Sequence, residues 1–329
     1  MKTCAIVGIN WGDEGKGRMV DLLTEDFDVV IRYQGGGNAG HTVVNDYGKF
    51  ALHLLPSGVF HPGVVNILGN GVALDAENLW IEIESLREKG VAISPENLKI
   101  SDRASLLLPW HRELDALEEA RLADKQYGST KQGIAPFYSD KYQKKTVLAG
   151  ELNDPEELRE HLRELLEWKN LILTGVYGAK PYTMEELTAW VENYGGKIRP
   201  FLCDTGAYLR SAADAGKRLL FEAQLGALRD LDYGIYPYTT SSNAIAAYAP
   251  VGPGCPRRGW TRSSASSRPT PPVWARAPLC VSSSGRRPPV CARPGANTAQ
   301  RPGGRAAWGP SISWPHATGC RYRERRPLR

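Results

Sequence analysis

The sequence predicts an α/β protein whose mainly parallel central sheet carries flanking helices, built from residues 1–250. Three observations predict it. Short apolar runs, Ala5–Ile9 and Val29–Tyr33, each run straight into a glycine-rich loop, as strands of open α/β sheets do. Strand-like and helix-like segments then alternate as far as about Pro250. The helical segments also carry their own start signals. Asp154-Pro155-Glu156-Glu157-Leu158 opens a helix with an acidic cap and a first-turn proline, and Leu158, Leu162, Leu165 and Leu166 form its apolar stripe. Thr183-Met184-Glu185-Glu186 reads as a capping box opening another helix, and Gly195-Gly196 as its end.

In chain order, the first strand leads into Gly12-Asp13-Glu14-Gly15-Lys16-Gly17-Arg18. A glycine-rich turn after a strand offers backbone N–H groups, and its lysine a cation, to a phosphate. Gly17 stands where a Walker A loop needs the Ser or Thr that holds magnesium, so another oxygen ligand is required and Asp13 is the candidate. Alone, such a run is as readily a tight turn with a surface lysine. The second strand shifts the balance, because it leads into Gln34-Gly35-Gly36-Gly37-Asn38-Ala39-Gly40-His41-Thr42. If the two strands are neighbours, Asp13 and His41 face one substrate at the carboxyl edge of the sheet.

With 329 residues, 42% hydrophobic and 23% charged, the chain can bury a large core in one or two domains. The average hides a break near Pro250. Residues 251–329 hold 15 arginines and one acid, Glu324, without a lysine or phenylalanine; removing this +14 from the chain's +5 leaves residues 1–250 at −9. Cys255, Cys280, Cys291 and Cys320 in that tail lack zinc spacing and read as incidental, and Cys4 and Cys203 suit a reducing cytoplasm. The apolar start is too short for a signal peptide and no run is long enough to cross a bilayer, so a cytoplasmic protein without membrane contact is expected.

WGDEGKG followed by RYQGGGNAGHT resembles the adenylosuccinate synthetase family. Further matches follow in the same order over about three quarters of the chain: His53-Leu54-Leu55-Pro56-Ser57-Gly58, Gly69-Asn70-Gly71-Val72, Gly128-Ser129-Thr130 with Gly133-Ile134-Ala135-Pro136, and Tyr236-Pro237-Tyr238-Thr239-Thr240-Ser241-Ser242-Asn243. The resemblance implies a P-loop-related fold, a homodimer, and the GTP-dependent ligation of IMP and L-aspartate to adenylosuccinate, GDP and phosphate, with Mg2+ as cofactor and GTP as co-substrate. It implies Asp13 as the base on IMP and His41 as the acid, with Mg2+ on Asp13 and the Gly40 carbonyl. Nucleotide and phosphate contacts fall on Gly12, Asp13, Glu14, Gly15, Lys16, Gly17, Arg18, Gly40, His41 and Thr42. IMP contacts fall on Asn38, Ala39, Gly40, His41, Thr130, Lys144, Gln224 and Thr240. Two departures stand out. Lys144 replaces an arginine that in the family reaches the partner's IMP, and Phe221-Glu222-Ala223-Gln224-Leu225-Gly226 is a permuted form of the family's FEGAQG, so the Gln224 amide is expected to be displaced by a residue.

Three readings of residues 251–329 compete: a disordered basic arm for nucleic acid, a novel small domain, and translation in the wrong frame. Natural basic arms use lysine, whereas Arg, Pro, Ala and Gly without lysine are what GC-rich DNA gives out of register. Regrouping the bases one nucleotide earlier lets Cys255 through Leu279 read VPAARLDEVVGIVKAYSTCVGEGPF, and Ala296 through Trp314 read GEYGAATGRPRRVGPFDLV. The first resembles the family's segment after SSN and the second its arginine-rich loop, which places the break near Gly254. The expectation is therefore a synthetase-like domain at 1–250 and a non-native, disordered tail at 251–329, in a truncated and inactive synthetase. The alternative is a non-catalytic nucleotide-binding protein with a basic nucleic-acid-binding arm; a generic P-loop GTPase switch is disfavoured by Gly17. The translated chain lacks the family's TKxD guanine-recognition motif.

Overall fold

The computed structural model describes residues 3–45, 47–254 and 262–266. All belong to the first of the chain's two units, residues 1–281. Seven strands form one sheet in the order β11-β1-β10-β2-β5-β7-β9 with every neighbour parallel. They are β1 (Thr3–Gly8), β2 (Val29–Arg32), β5 (Val65–Leu68), β7 (Leu98–Ser101), β9 (Leu202–Cys203), β10 (Leu219–Gly226) and β11 (Arg262–Ser266). β3 (His41–Asn45) and β4 (Gly48–Leu52) form an antiparallel hairpin, and β6 (Ala73–Leu74) pairs with β8 (Ser105–Leu106).

Both faces of the sheet are covered, which is why its strands read as near-continuous apolar runs. On one face Cys4, Ile6, Val30 and Leu220 pack with Val20 of α1 (Lys16–Thr24). On the other, Ala5, Ile31 and Phe221 pack with Leu209 and Ala213 of α8 (Thr205–Asp214). The largest core gathers around α2 (Ala76–Glu88), α3 (Pro109–Leu122) and α5 (Pro155–Tyr177), while α4 (Ile134–Gln143) leans on the second glycine loop through Ile134 and Tyr138.

α5 starts as its sequence predicts: the Glu157 amide donates to Asp154 Oδ1 at 3.1 Å, and Leu158, Leu162, Leu165 and Leu166 are buried. α6 (Met184–Trp190) has its capping box, with Glu186 N donating to Thr183 Oγ1 and Thr183 N to Glu186 Oε2. Gly195-Gly196 does not end that helix. The chain passes through a π-turn at Val191–Gly195 into α7 (Gly196–Ile198), and Gly195 keeps right-handed angles, φ −59° and ψ −45°. Its role is close approach, since a Cβ there would lie 2.7 Å from Leu152 Cδ2.

The expectation of a tail without regular structure is corrected at one place. Arg262–Ser266 runs parallel to β1, from Cys4 opposite Arg262 to Gly8 opposite Ser266. A strand edge offers backbone donors and acceptors that any passing backbone can pair, so this ladder does not require an apolar sequence. Residues 255–261 and 267–329, with the four tail cysteines, lie outside the described residues.

Candidate active site

The first loop is built around an inward-turned acid. Gly12, Asp13 and Gly15 all have positive φ, at 110°, 54° and 78°. The turn carries Glu14 beneath the loop, where its Oε1 accepts the amides of Ile9 (3.1 Å) and Asn10 (2.5 Å). Gly8 must be glycine, because a Cβ would meet Glu14 Oε2 at 2.1 Å. Lys16 is buried too, its Nζ 3.8 Å from Glu14 Oε2. Burial pushes the lysine pKa down and that of Glu14 up, each against the pull of the other's charge. Of the residues predicted for this loop, Asp13 and Arg18 are exposed and Glu14 belongs to the loop's own scaffold.

The two loops do not follow neighbouring strands. β10 lies between β1 and β2, and its Glu222 sits in one row with Ile6 and Arg32. Glu222 is fully buried and has three donors. Its Oε1 accepts His41 Nδ1 at 2.5 Å and Ser57 Oγ at 2.7 Å, and its Oε2 accepts the Ser57 amide at 2.8 Å. Burial alone would raise its pKa, but His41, Arg32 and the Ser57 amide outweigh this and hold the carboxyl below its ordinary value. For His41 burial dominates and pushes the imidazole pKa down against the pull of Glu222. With Nδ1 against the Glu222 carboxylate, that nitrogen carries a proton. His41 Nε2 is buried without a hydrogen-bond partner.

Gln224, two residues along, donates from Nε2 to the Gly36 carbonyl (2.7 Å) and to Asn38 Oδ1 (3.0 Å), and its Oε1 is buried without a partner. β10 bulges here: Ile6 faces Glu222 but Gly8 faces Gly226, and Leu225 takes φ 61°, a conformation that favours glycine. Gln34 ties the neighbourhood together, donating to the Gln224 carbonyl at 2.7 Å and accepting from Ser242 Oγ at 3.0 Å. That bond brings the segment of Thr240, itself buried, to the second loop. Gly36 and Gly37 approach Ile134 and Gln132, which lie four and two residues along the chain from the exposed Thr130. Ala39 is half-buried, while Gly40 and Thr42 are exposed. Lys144 caps the far end of α4 at φ 63°, away from this cluster. Lys49, His53, Asn78, Glu82 and Gln132 line a cavity of about 430 Å³ that opens beside Gly37.

Glu222, Ser57, Gln34 and Arg32 were not picked out as site residues from the sequence. One signal was available for the first of them, an acid inside the otherwise apolar run Leu219–Phe221 and Ala223.

A parallel sheet with two glycine-rich loops at its carboxyl edge, and a buried lysine, histidine and carboxylate there, defines an open α/β protein whose candidate site lies at that edge. The model of the adenylosuccinate synthetase family, ligases that form a C–N bond, matches residues 5–264, and the chain belongs to that family. It is 49% identical over 258 residues to adenylosuccinate synthetase 2 of Pseudoalteromonas translucida, covering 78% of this chain and 61% of that protein. It is 44% identical over 254 residues to the adenylosuccinate synthetase of Caldanaerobacter subterraneus, covering 77% and 59%. The fully ligated adenylosuccinate synthetase of Plasmodium falciparum superposes with a TM-score of 0.71 at 33% identity, over 77% of this chain and 58% of that one. The succinoaminodeoxyadenylate synthetase of cyanophage S-2L shares the fold, with a TM-score of 0.55 at 22% identity over 80% and 63%. The chain thus spans about three fifths of the length of the curated relatives it matches. Among the described residues no helix is long and apolar enough to cross a membrane.

Proposed function

We propose that residues 1–254 are the IMP- and phosphate-handling part of a GTP-dependent ligase that joins IMP to L-aspartate, giving adenylosuccinate, GDP and phosphate. One observation carries the reading. His41 Nε2 and Gln224 Oε1, both buried and unpartnered, sit at the sheet edge where the Asp13 loop and the Asn38 loop meet. Buried polar atoms are costly to leave unpaired, so two at one edge favour a ligand that pairs them.

In this reading the exposed Asp13 carboxylate takes the N1 proton of IMP, and O6 then attacks the terminal phosphoryl group of GTP as GDP leaves. Lys16 and the Gly12–Gly17 amides hold the transferring charge, and His41, once Nε2 has taken up a proton beside the phosphate, donates to O6. The aspartate amine next displaces phosphate from C6. The Asp13 carboxylate and the Gly40 carbonyl are hard oxygen donors of the kind Mg2+ accepts together with phosphate oxygens and waters. When bound, Mg2+ supplies neutralisation of phosphate charge. Asn38, Ala39, Gln224, Thr130 and Thr240 would orient IMP, and Lys144, remote from this cluster, would reach a partner's IMP in a homodimer. The chemistry of a cytoplasmic purine enzyme fits the whole.

The same reading takes residues 255–329 as translated out of register. The regrouped bases give EVVGI across 262–266, apolar after its first residue as parallel strands commonly are, and those five residues run beside β1. Without the family's guanine- and aspartate-binding motifs in the translated sequence, the chain binds IMP weakly and does not turn over. Sequencing the DNA around Gly254 and assaying the chain before and after restoring the frame tests both parts. Adenylosuccinate formation should depend on GTP and aspartate after restoration and vanish with Asp13→Ala. A chain that turns over equally well as written would sink the frame reading, and a restored chain that neither binds IMP nor turns over would sink the ligase reading.

A further inference from the structure

We infer that Glu222 is a positioning residue that holds His41 in a single tautomer, proton on Nδ1, and fixes Nε2 as the ring nitrogen that faces the ligand space at the sheet edge. The geometry stands on its own; its catalytic meaning rests on the ligase reading above.

The ring is confined on two sides. Glu222 Oε1 grips Nδ1 at 2.5 Å, and Ser57 clamps the carboxylate through both its amide and its hydroxyl, at 2.8 and 2.7 Å. α1 closes the other side. A Cβ on Gly17 would come within 2.7 Å of His41 Cβ and 3.1 Å of Ser57 Oγ. The glycine that removes the Walker A hydroxyl is therefore what admits the histidine. Nε2 is the one polar atom of the ring left without a partner. Fold alone does not ask for an acid at this point of β10, because Leu220 and Val30, on the same face, fill their places with apolar groups. An isolated buried carboxylate is expensive, so one retained with three donors is best explained by the group it orients. Imidazoles are commonly set this way, since a hydrogen bond at one nitrogen decides the state of the other.

The test is nitrogen NMR on the full chain labelled at histidine. The His41 signal, one of six histidines, is assigned by its loss in His41→Asn. In the neutral ring Nδ1 should be proton-bearing and Nε2 bare. Glu222→Gln, which keeps the size and loses the charge, should replace the single tautomer with a mixture. Glu222→Asp, which withdraws the oxygen by one methylene, should do the same and serves if the first variant does not fold. A bare Nδ1 in the unaltered chain overturns the inference, as does a folded Glu222 variant with the tautomer unchanged. An unaltered chain with the expected tautomer that binds no IMP supports the positioning role and counts against the ligase reading instead.

Discussion

Glu222 and Arg32 are register partners in adjacent parallel strands, and both are sealed from solvent. Arg32 donates from Nη1 to the His53 carbonyl at 2.8 Å and has the charges of Glu222 and Glu82 as its counterweights. Removing one member of such a group leaves an uncompensated charge in the interior. Arg32→Met should therefore lower stability by about 3–5 kcal/mol in urea unfolding. Combining it with Glu222→Leu should recover part of that loss, because an apolar pair substitutes well for a buried ionic one. A single variant as stable as the parent would show that the pair carries no weight.

Gly17 and Gly37 lie on the two glycine loops but differ in what surrounds them. A Cβ at Gly17 collides with His41, whereas one at Gly37 would find its nearest neighbour, Gln132 Oε1, at 3.8 Å. Gly17→Ala should cost about 1–3 kcal/mol by forcing the ring aside. Gly37→Ala should stay within about 0.5 kcal/mol of the parent. Thermal unfolding of both variants checks the contrast, and equal costs would contradict it.

The helix that continues past Gly195-Gly196 makes a prediction of opposite sign. Gly196 is helical, with φ −57°, and a Cβ there meets nothing within 4 Å. Gly196→Ala should stabilise the chain by roughly 0.5–1 kcal/mol, through helix propensity and a less free unfolded state. A helix ending at that glycine in a left-handed conformation would make the same change destabilising, so the sign of the shift in Tm decides.

Lys141 sets a pH dependence. Its Nζ donates to the Asn70 carbonyl at 2.6 Å, and burial lowers its pKa from 10.5 to about 8. Between those values the unfolded chain binds more protons than the folded one, so stability from this group rises with pH and is lowest below about 8. Against Lys141→Met, the parent should gain on the order of 2 kcal/mol as pH increases from 7 to 10. Parallel curves for the two proteins would rule out the depressed lysine.

Helix starts and strand-to-loop turns are written in neighbouring residues. Asp154 and Thr183 cap their helices through bonds to residues three positions on, so these starts were legible without any fold. The two apolar runs and their glycine loops were legible as strand and turn for the same reason. The entry of β10 between β1 and β2 comes from long-range pairing, through ladders joining Val29–Arg32 to residues about 190 positions away, which leave no periodic mark in either segment. That insertion brings Glu222 to His41 and Gln224 to Asn38, and it makes Gly17 a place of close approach where the sequence shows only a departure from a motif. The helix running through Gly195-Gly196 has the same origin. Glycine permits a helix to end, but whether it does depends on what packs against it, and Leu152, a distant neighbour in sequence, fills the space that a side chain would take.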